Sequence, residues 1–280
     1  MYFRTFNHFL VKQILCFLFL CCSLFGWGQG YLSNSARALS MSNASVALTD
    51  VWAHANNPAA LVGIKKQSIG ISYQNRFSLK EMQTQGLVYA IPFKRMVFSL
   101  GSQLYGYQQY RSMKNGVGMS MALSEKVSLG VQLNHHSIRL NENYGNSSML
   151  TGEMGLLVQF TERIRFGCSV LNIGRTKITP NANERLTTLM RLGMQYVISN
   201  QVFLVSEVEK NVLYPLSVKL GAEYKPSTKI CFRGGVATAP ISFSFGVGTT
   251  FKNRFQLDLG TAYHQLLGWS PHVSFQVDLN

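Results

Sequence analysis

The sequence predicts an all-β fold: a transmembrane antiparallel β-barrel of about fourteen strands with a short N-terminal plug segment. Three observations lead there. Residues 67–280 read as one long series of alternating strand segments. The connections between segments fall into two size classes, one tight and one longer. Many segments run to about ten residues, the length a tilted membrane strand needs.

The tight turns are 93–96, 123–127, 160–163, 198–201, 224–228 and 251–254. The longer loops centre on 76–81, 108–115, 141–148, 174–185, 210–215, 238–240 and 266–270. Short turns at one end and longer loops at the other are the pattern of membrane barrels, whose tight turns face the periplasm. An even strand number leaves both termini at the tight-turn end.

Alternation is clean in several segments. In Ile241–Phe251 one face is Ile241, Phe243, Phe245, Val247, Thr249 and Phe251. Its other face is Ser242, Ser244, Gly246, Gly248 and Thr250. Leu216–Lys225 sets Leu216, Val218, Leu220, Ala222 and Tyr224 against Ser217, Lys219, Gly221, Glu223 and Lys225. Phe255–His264 and the last segment, with Val273, Phe275, Val277 and Leu279 on one face, do the same. Period two with one apolar face marks a half-buried strand. A soluble sandwich would show it too. Segment length, a Gly/Ser-rich polar face suited to a crowded lumen, and aromatics near strand ends (Tyr73, Tyr105, Tyr107, Tyr224, Tyr263, Trp269) favour the membrane barrel.

The first residues read as a signal peptide, 1–28. Arg4 and Lys12 make a positive start, Ile14–Phe25 is an apolar run too short to span as a helix, and Gly26 and Gly28 are small residues before the expected cleavage. Residues 29–64 are the expected plug and 65–280 the barrel. Cys16, Cys21 and Cys22 leave with the signal, while Cys168 and Cys231 remain in strand segments. Two cysteines are too few for a disulfide scaffold; one bridge is allowed.

Net charge is +14; the signal carries two basic and no acidic residues, which leaves +12. The basic residues are spread over turns rather than clustered. Lys65, Lys66, Lys94, Arg95, Arg163, Lys252 and Arg254 form an expected basic rim, facing outer-membrane lipid head groups or lipopolysaccharide or, from its periplasmic side, a protein partner. A nucleic-acid partner is not expected of an exported chain.

No chemistry stands out. His135 and His136 are strand neighbours and point to opposite faces, so they do not share a metal. His264 and His272 flank the last longer loop and could approach across the hairpin, without a Cys or carboxylate cluster beside them. There is no G-x-S-x-G or H-E-x-x-H motif. Neither catalysis, metal nor cofactor is expected. Glu207 and Glu209 share a face and could pair with Lys219 on the next strand; otherwise they face water.

Residues 31–64 are too long for an ordinary connection and too apolar for a disordered tail. Ala36–Leu48 is weakly helical, and the segment is expected to pack against or inside the barrel. Ala36-Arg37-Ala38-Leu39-Ser40-Met41-Ser42-Asn43-Ala44 resembles the "GARALGMGGA" opening of the FadL-type fatty-acid channels and of the related PorV/PorQ outer-membrane proteins of Bacteroidota. Asn56-Asn57-Pro58-Ala59-Ala60-Leu61 resembles the "NPAGL" that follows it. Ser40, Ser42 and Ala60 stand where the family often has Gly, so the turn should differ if those glycines are left-handed. The chain ends on Asp278-Leu279-Asn280 rather than on an aromatic.

The resemblance implies a barrel with a gating plug in the outer membrane. Arg37, Met41, Asn43, Trp52, Asn56, Asn57 and Pro58 are the candidate plug and gating residues, with Trp52 as the anchor. Asn56, Asn57 and Pro58 should fix the turn into the first strand. The leading functional expectation is a non-catalytic accessory or partner-binding subunit of an envelope protein-export system of the type IX kind. The alternative is a FadL-like passive channel for a hydrophobic ligand.

Overall fold

The computed structural model describes residues 35–140, 145–178, 184–212 and 214–279. The expected signal peptide lies outside the described residues. The strands are β1 (Ser68–Asn75), β2 (Gln83–Phe93), β3 (Met96–Gly106), β4 (Tyr110–Ala122), β5 (Val127–Leu140), β6 (Asn146–Gln159) and β7 (Ile164–Leu171). They continue as β8 (Leu189–Val197), β9 (Val202–Asn211), β10 (Ser217–Tyr224), β11 (Ile230–Thr238), β12 (Ile241–Phe251), β13 (Phe255–His264) and β14 (Gly268–Asp278). The fourteen strands pair in sequence order, and β14 pairs back on β1 to close the ring. Closure leaves no unpaired edge, which a strand in hydrocarbon cannot tolerate.

The faces follow the alternation. In β12, Ser244 and Gly248 are buried while Phe243, Phe245 and Val247 are exposed. In β10, Ser217, Lys219 and Glu223 are buried while Leu220 and Tyr224 are exposed. The barrel is therefore polar inside and apolar outside, the inverse of a soluble sandwich. Aromatics gather near the tight-turn end, where Phe251, Phe255 and Phe275 stack in sequence at 5.0 and 6.2 Å. Near the loop end Tyr263 lies opposite Trp269 with ring centroids 4.9 Å apart. Tyr105 departs from the expected outer girdle: it shares the inward face of β3 with buried Gln103.

All six tight turns lie at one end. The opposite loops are less uniform than expected. Only residues 107–109, 239–240 and 265–267 separate three of the strand pairs, whereas the β7–β8 connection occupies 172–188. Lys114 and Asn115, expected in a loop, are paired inside β4. The reason is physical: β4, β5 and β6 are the longest strands, and near their loop ends the outward face turns polar at Arg111, Arg139 and Asn146. A strand with polar residues on both faces carries no period-two signal and reads as a loop.

Residues 35–64 run through the interior. Helix α1 (Ala36–Ser40) lies against β11–β14. Helix α2 (Ala53–Asn56) touches β3, and the 3₁₀ segment Pro58–Gly63 packs on β3–β6. The weak helix expected over residues 36–48 is only one turn. Ser42 and Asn43 take left-handed backbone, with φ 52° and 61°, and end it. They do so although neither is glycine, so the turn is left-handed without one; Asn tolerates this region better than most residues.

Candidate functional site: the segment inside the barrel

The inner wall is built to receive backbone. Gly130 lies beneath the Pro58–Ala59 peptide, where a Cβ would collide with main-chain atoms. Gly101 of β3 and Gly116 of β4 are cross-strand partners, and the His54 imidazole sits over both. Small inward residues thus let a folded segment fill the lumen without widening the barrel.

Polar pins hold the segment to the wall at one end. The Arg37 guanidinium donates to Asp50 Oδ2 at 3.0 Å and to Glu223 Oε2 of β10 at 3.0 Å. Glu223 also accepts from Arg233 Nε at 2.6 Å, and Arg233 Nη1 reaches Asp258 Oδ1 of β13 at 2.7 Å. A chain of alternating charge therefore runs from the luminal segment through three strands. Ser42 Oγ and Ser244 Oγ of β12 are 2.8 Å apart, and Ser42 N–H donates to Ser244 Oγ at 2.8 Å.

Glu207 of β9 forms the next pin. Its Oε2 accepts the backbone N–H groups of Ser45 and Val46, each at 2.8 Å. Its Oε1 accepts from Lys219 Nζ at 3.3 Å, and the same ammonium reaches Glu209 Oε2 at 2.5 Å. The expected pairing of Glu207 and Glu209 with Lys219 is present, and it is buried rather than solvated.

At the far end Asn57 caps the 3₁₀ segment, its Oδ1 accepting from Ala59 N–H at 3.1 Å. Its Nδ2 donates to Val46 O at 2.7 Å and Leu156 O of β6 at 3.1 Å. The Asn56 carbonyl accepts from Arg191 and from Ser169, and the Ala59 carbonyl from Ser120. His54 Nδ1 shares a hydrogen bond with Ser99 Oγ at 2.8 Å. Burial, and after it the charge of Lys114, holds the His54 imidazole down to about 3.

The candidate plug residues are thus brought to one body but not to one point. Arg37 and Met41 sit with α1, and Trp52 packs with Val51, Ala60, Leu61 and Val88 in an apolar cluster facing β2 and β3. Asn43 sits beside a small cavity of about 120 Å³ at the loop-end mouth, bordered also by Leu39, Phe77, Lys219 and Tyr263. Pro58 starts the 3₁₀ segment, so Asn56, Asn57 and Pro58 organise that turn rather than the start of β1 at Ser68. A cavity of about 10 Å³ separates His54 and Lys114 near Gly101 and Gly116.

The basic rim residues all lie at the tight-turn end. Lys65, Lys66, Lys94, Arg95, Arg163 and Lys252 are exposed; Arg254 is half-buried, its Nε donating to the Asp278 carbonyl at 3.2 Å. His135 and His136 point to opposite faces, bonding Ser148 Oγ outside and Thr151 Oγ1 inside. His264 and His272 do not meet: His264 lies opposite Gly268, and His272 opposite Gly260. Cys168 and Cys231 are both free thiols.

The inward ion network of Glu223, Arg233 and Asp258, and the Arg191 contact, are absent from the sequence expectations. Their signal was present: Glu223 and Arg233 are charges on otherwise small inward faces and become cross-strand partners.

No protein-family model matches the chain, and no curated protein does. Solved structures do. The fold is similar to the CymD monoaromatic hydrocarbon channel, with a TM-score of 0.69 at 14% identity over 90% of this chain and 99% of that one. It is similar to the toluene transporter TbuX of Ralstonia pickettii, with a TM-score of 0.66 at 12% identity over 92% and 100% of the two chains. A FadL homologue of Pseudomonas aeruginosa gives a TM-score of 0.62 at 12% identity over 89% and 99%. At these identities the likeness concerns the fold alone: a closed fourteen-strand outer-membrane barrel shared with these proteins.

Proposed function

We propose that this chain is a passive outer-membrane channel for hydrophobic small molecules, gated by residues 35–64. The observation that carries the reading is a folded segment pinned across the lumen of a barrel whose fold is shared with monoaromatic hydrocarbon channels. The export-subunit reading, which led from sequence, has no such support. Among the described residues, the cavities beside the segment are about 120 and 10 Å³, so transport requires the segment to shift. A hydrophobic molecule entering at the Leu39–Phe77–Tyr263 mouth would then meet the Gly101–Gly116 pair. On the outer side of that pair lies an apolar groove of about 580 Å³ formed by Leu87, Leu100, Val117, Leu133 and Leu150. His54 covers the inner side of Gly101 and, with Asn134 and Gln132, that of Gly116, and neither glycine adds a side chain to the wall, which gives a thin route sideways into lipid.

The test is uptake of a radiolabelled monoaromatic hydrocarbon by vesicles with a lipopolysaccharide outer leaflet, whose sugar layer slows apolar solutes. Vesicles bearing the protein should load several-fold faster than empty ones. Equal loading would refute the channel.

A second reading, docking of an acidic envelope protein, is favoured by the exposed basic rim alone. Charge contacts of that kind weaken with salt. Affinity purification in mild detergent at low salt should then recover a stoichiometric partner, and K94E/R95E should lose it. Recovery of the protein alone at every salt concentration would refute docking.

A further inference from the structure

The outer wall carries a feature that transport does not use. Arg111 of β4 and Arg139 of β5 are direct cross-strand partners on the outward face near the loop end. Both are exposed, and among the described residues neither has a carboxylate partner. Like charges placed opposite one another in a sheet destabilise it. Two guanidinium groups in that position form a fork suited to a phosphate, which accepts paired N–H groups from Arg.

Below the pair the wall is concave. A groove of about 680 Å³ runs from Arg111 and Arg139 along Ile71, Tyr73, Leu87, Leu104 and Met113. Ser102 and Ser137, small on an otherwise bulky face, give it depth. Leu87 and Ser102 also border the apolar groove over Gly101 and Gly116, so the two depressions are continuous along the wall. Charge sits at the loop end and apolar surface extends toward the membrane centre. With the tight turns periplasmic, that polarity matches the outer leaflet.

We propose that Arg111 and Arg139 bind the phosphate of one lipopolysaccharide molecule, with an acyl chain of its lipid A lying in the groove beneath them. The charge complementarity is to an anionic headgroup, and the apolar floor is to its chain. A soluble phosphate would satisfy the first and leave the second empty. The bound lipid would also cover the apolar wall through which a solute leaves, although the site does not depend on transport.

The test uses the full-length protein extracted in mild detergent and purified from outer membranes. Native mass spectrometry should show one retained lipopolysaccharide per barrel. R111Q/R139Q should reduce retention at least tenfold, while K94Q/R95Q at the opposite end should retain it. Leu104→Trp fills the groove without touching either charge and should also lose the lipid, which covers the case in which the double Gln variant fails to fold. Inorganic phosphate should not displace the lipid at concentrations where added lipopolysaccharide does. Equal retention by wild type, R111Q/R139Q and Leu104→Trp would overturn the site, as would absence of lipid from the wild type.

Discussion

Arg37 Nε, on the segment inside the barrel, donates to Glu223 Oε2 of the wall at 3.0 Å. The pair joins two parts of the chain 186 residues apart and ties α1 to β10. Breaking a buried ion pair from one side costs about 3–5 kcal/mol when the remaining charge is stranded; here Asp50 loses its cation while Glu223 keeps Arg233. Arg37→Met should therefore leave the barrel closed, still running faster unheated than boiled on a denaturing gel, yet make residues 35–64 cleavable by an added protease. A segment as protected as in the wild type would show that the pair does not hold it.

A second prediction follows from His54. Its seated form holds the imidazole down to about 3, chiefly through burial. A released histidine titrates near about 6.5. Between those values the released form binds the proton and the seated form does not, so the seated state loses stability as pH falls below the released value. At pH 5 the loss is about 2 kcal/mol. Channel openings in planar bilayers should become more frequent from pH 7 to pH 5, and His54→Gln should flatten that dependence. An unchanged slope in His54→Gln would assign the effect elsewhere.

The Gly101–Gly116 pair gives a third. Gly101→Leu places a side chain where the His54 ring lies and should unseat α2, raising conductance. His54→Ala in the same chain should restore the closed level by making room. Failure of the second change to rescue the first would mean that the leucine acts on the strands instead.

Trp52 and Met41 separate anchoring from filling. Both are buried, but Trp52 belongs to the larger apolar cluster with β2 and β3. Removing a buried Trp side chain costs about 3–5 kcal/mol. Trp52→Ala should increase protease access to the segment more than Met41→Ala does. The reverse order would place the main anchor at α1.

The barrel was legible because period-two alternation survives wherever one face is lipid and the other small and polar, as in β10 and β12. It failed at Lys114 and Asn115, where a lysine on the inward face and an asparagine between Met113 and Val117 on the outward face break the alternation. Glu207, Glu209 and Lys219 could be matched because their strands are adjacent and the residues share an inward face. Glu223 and Arg233 were equally matchable. The links from Asn57 to Leu156 and from Asn56 to Arg191 were not, because they depend on how the inner segment threads the closed ring. The sequence also ranked the export role above the channel, whereas the structural neighbours support the channel better. The opening motif is common to channels and export proteins, and only the three-dimensional comparison favours one of them.

The most direct test locks the segment in place. Ser42 Oγ and Ser244 Oγ are 2.8 Å apart, close enough for a disulfide after modest adjustment. In a background of Cys168→Ser and Cys231→Ser, the S42C/S244C chain would be reconstituted into lipopolysaccharide-bearing vesicles. Uptake of the labelled monoaromatic hydrocarbon would be followed before and after reduction. The account predicts uptake near the empty-vesicle level when oxidised and several-fold recovery on adding reductant. Equal uptake in both states would contradict gating by residues 35–64.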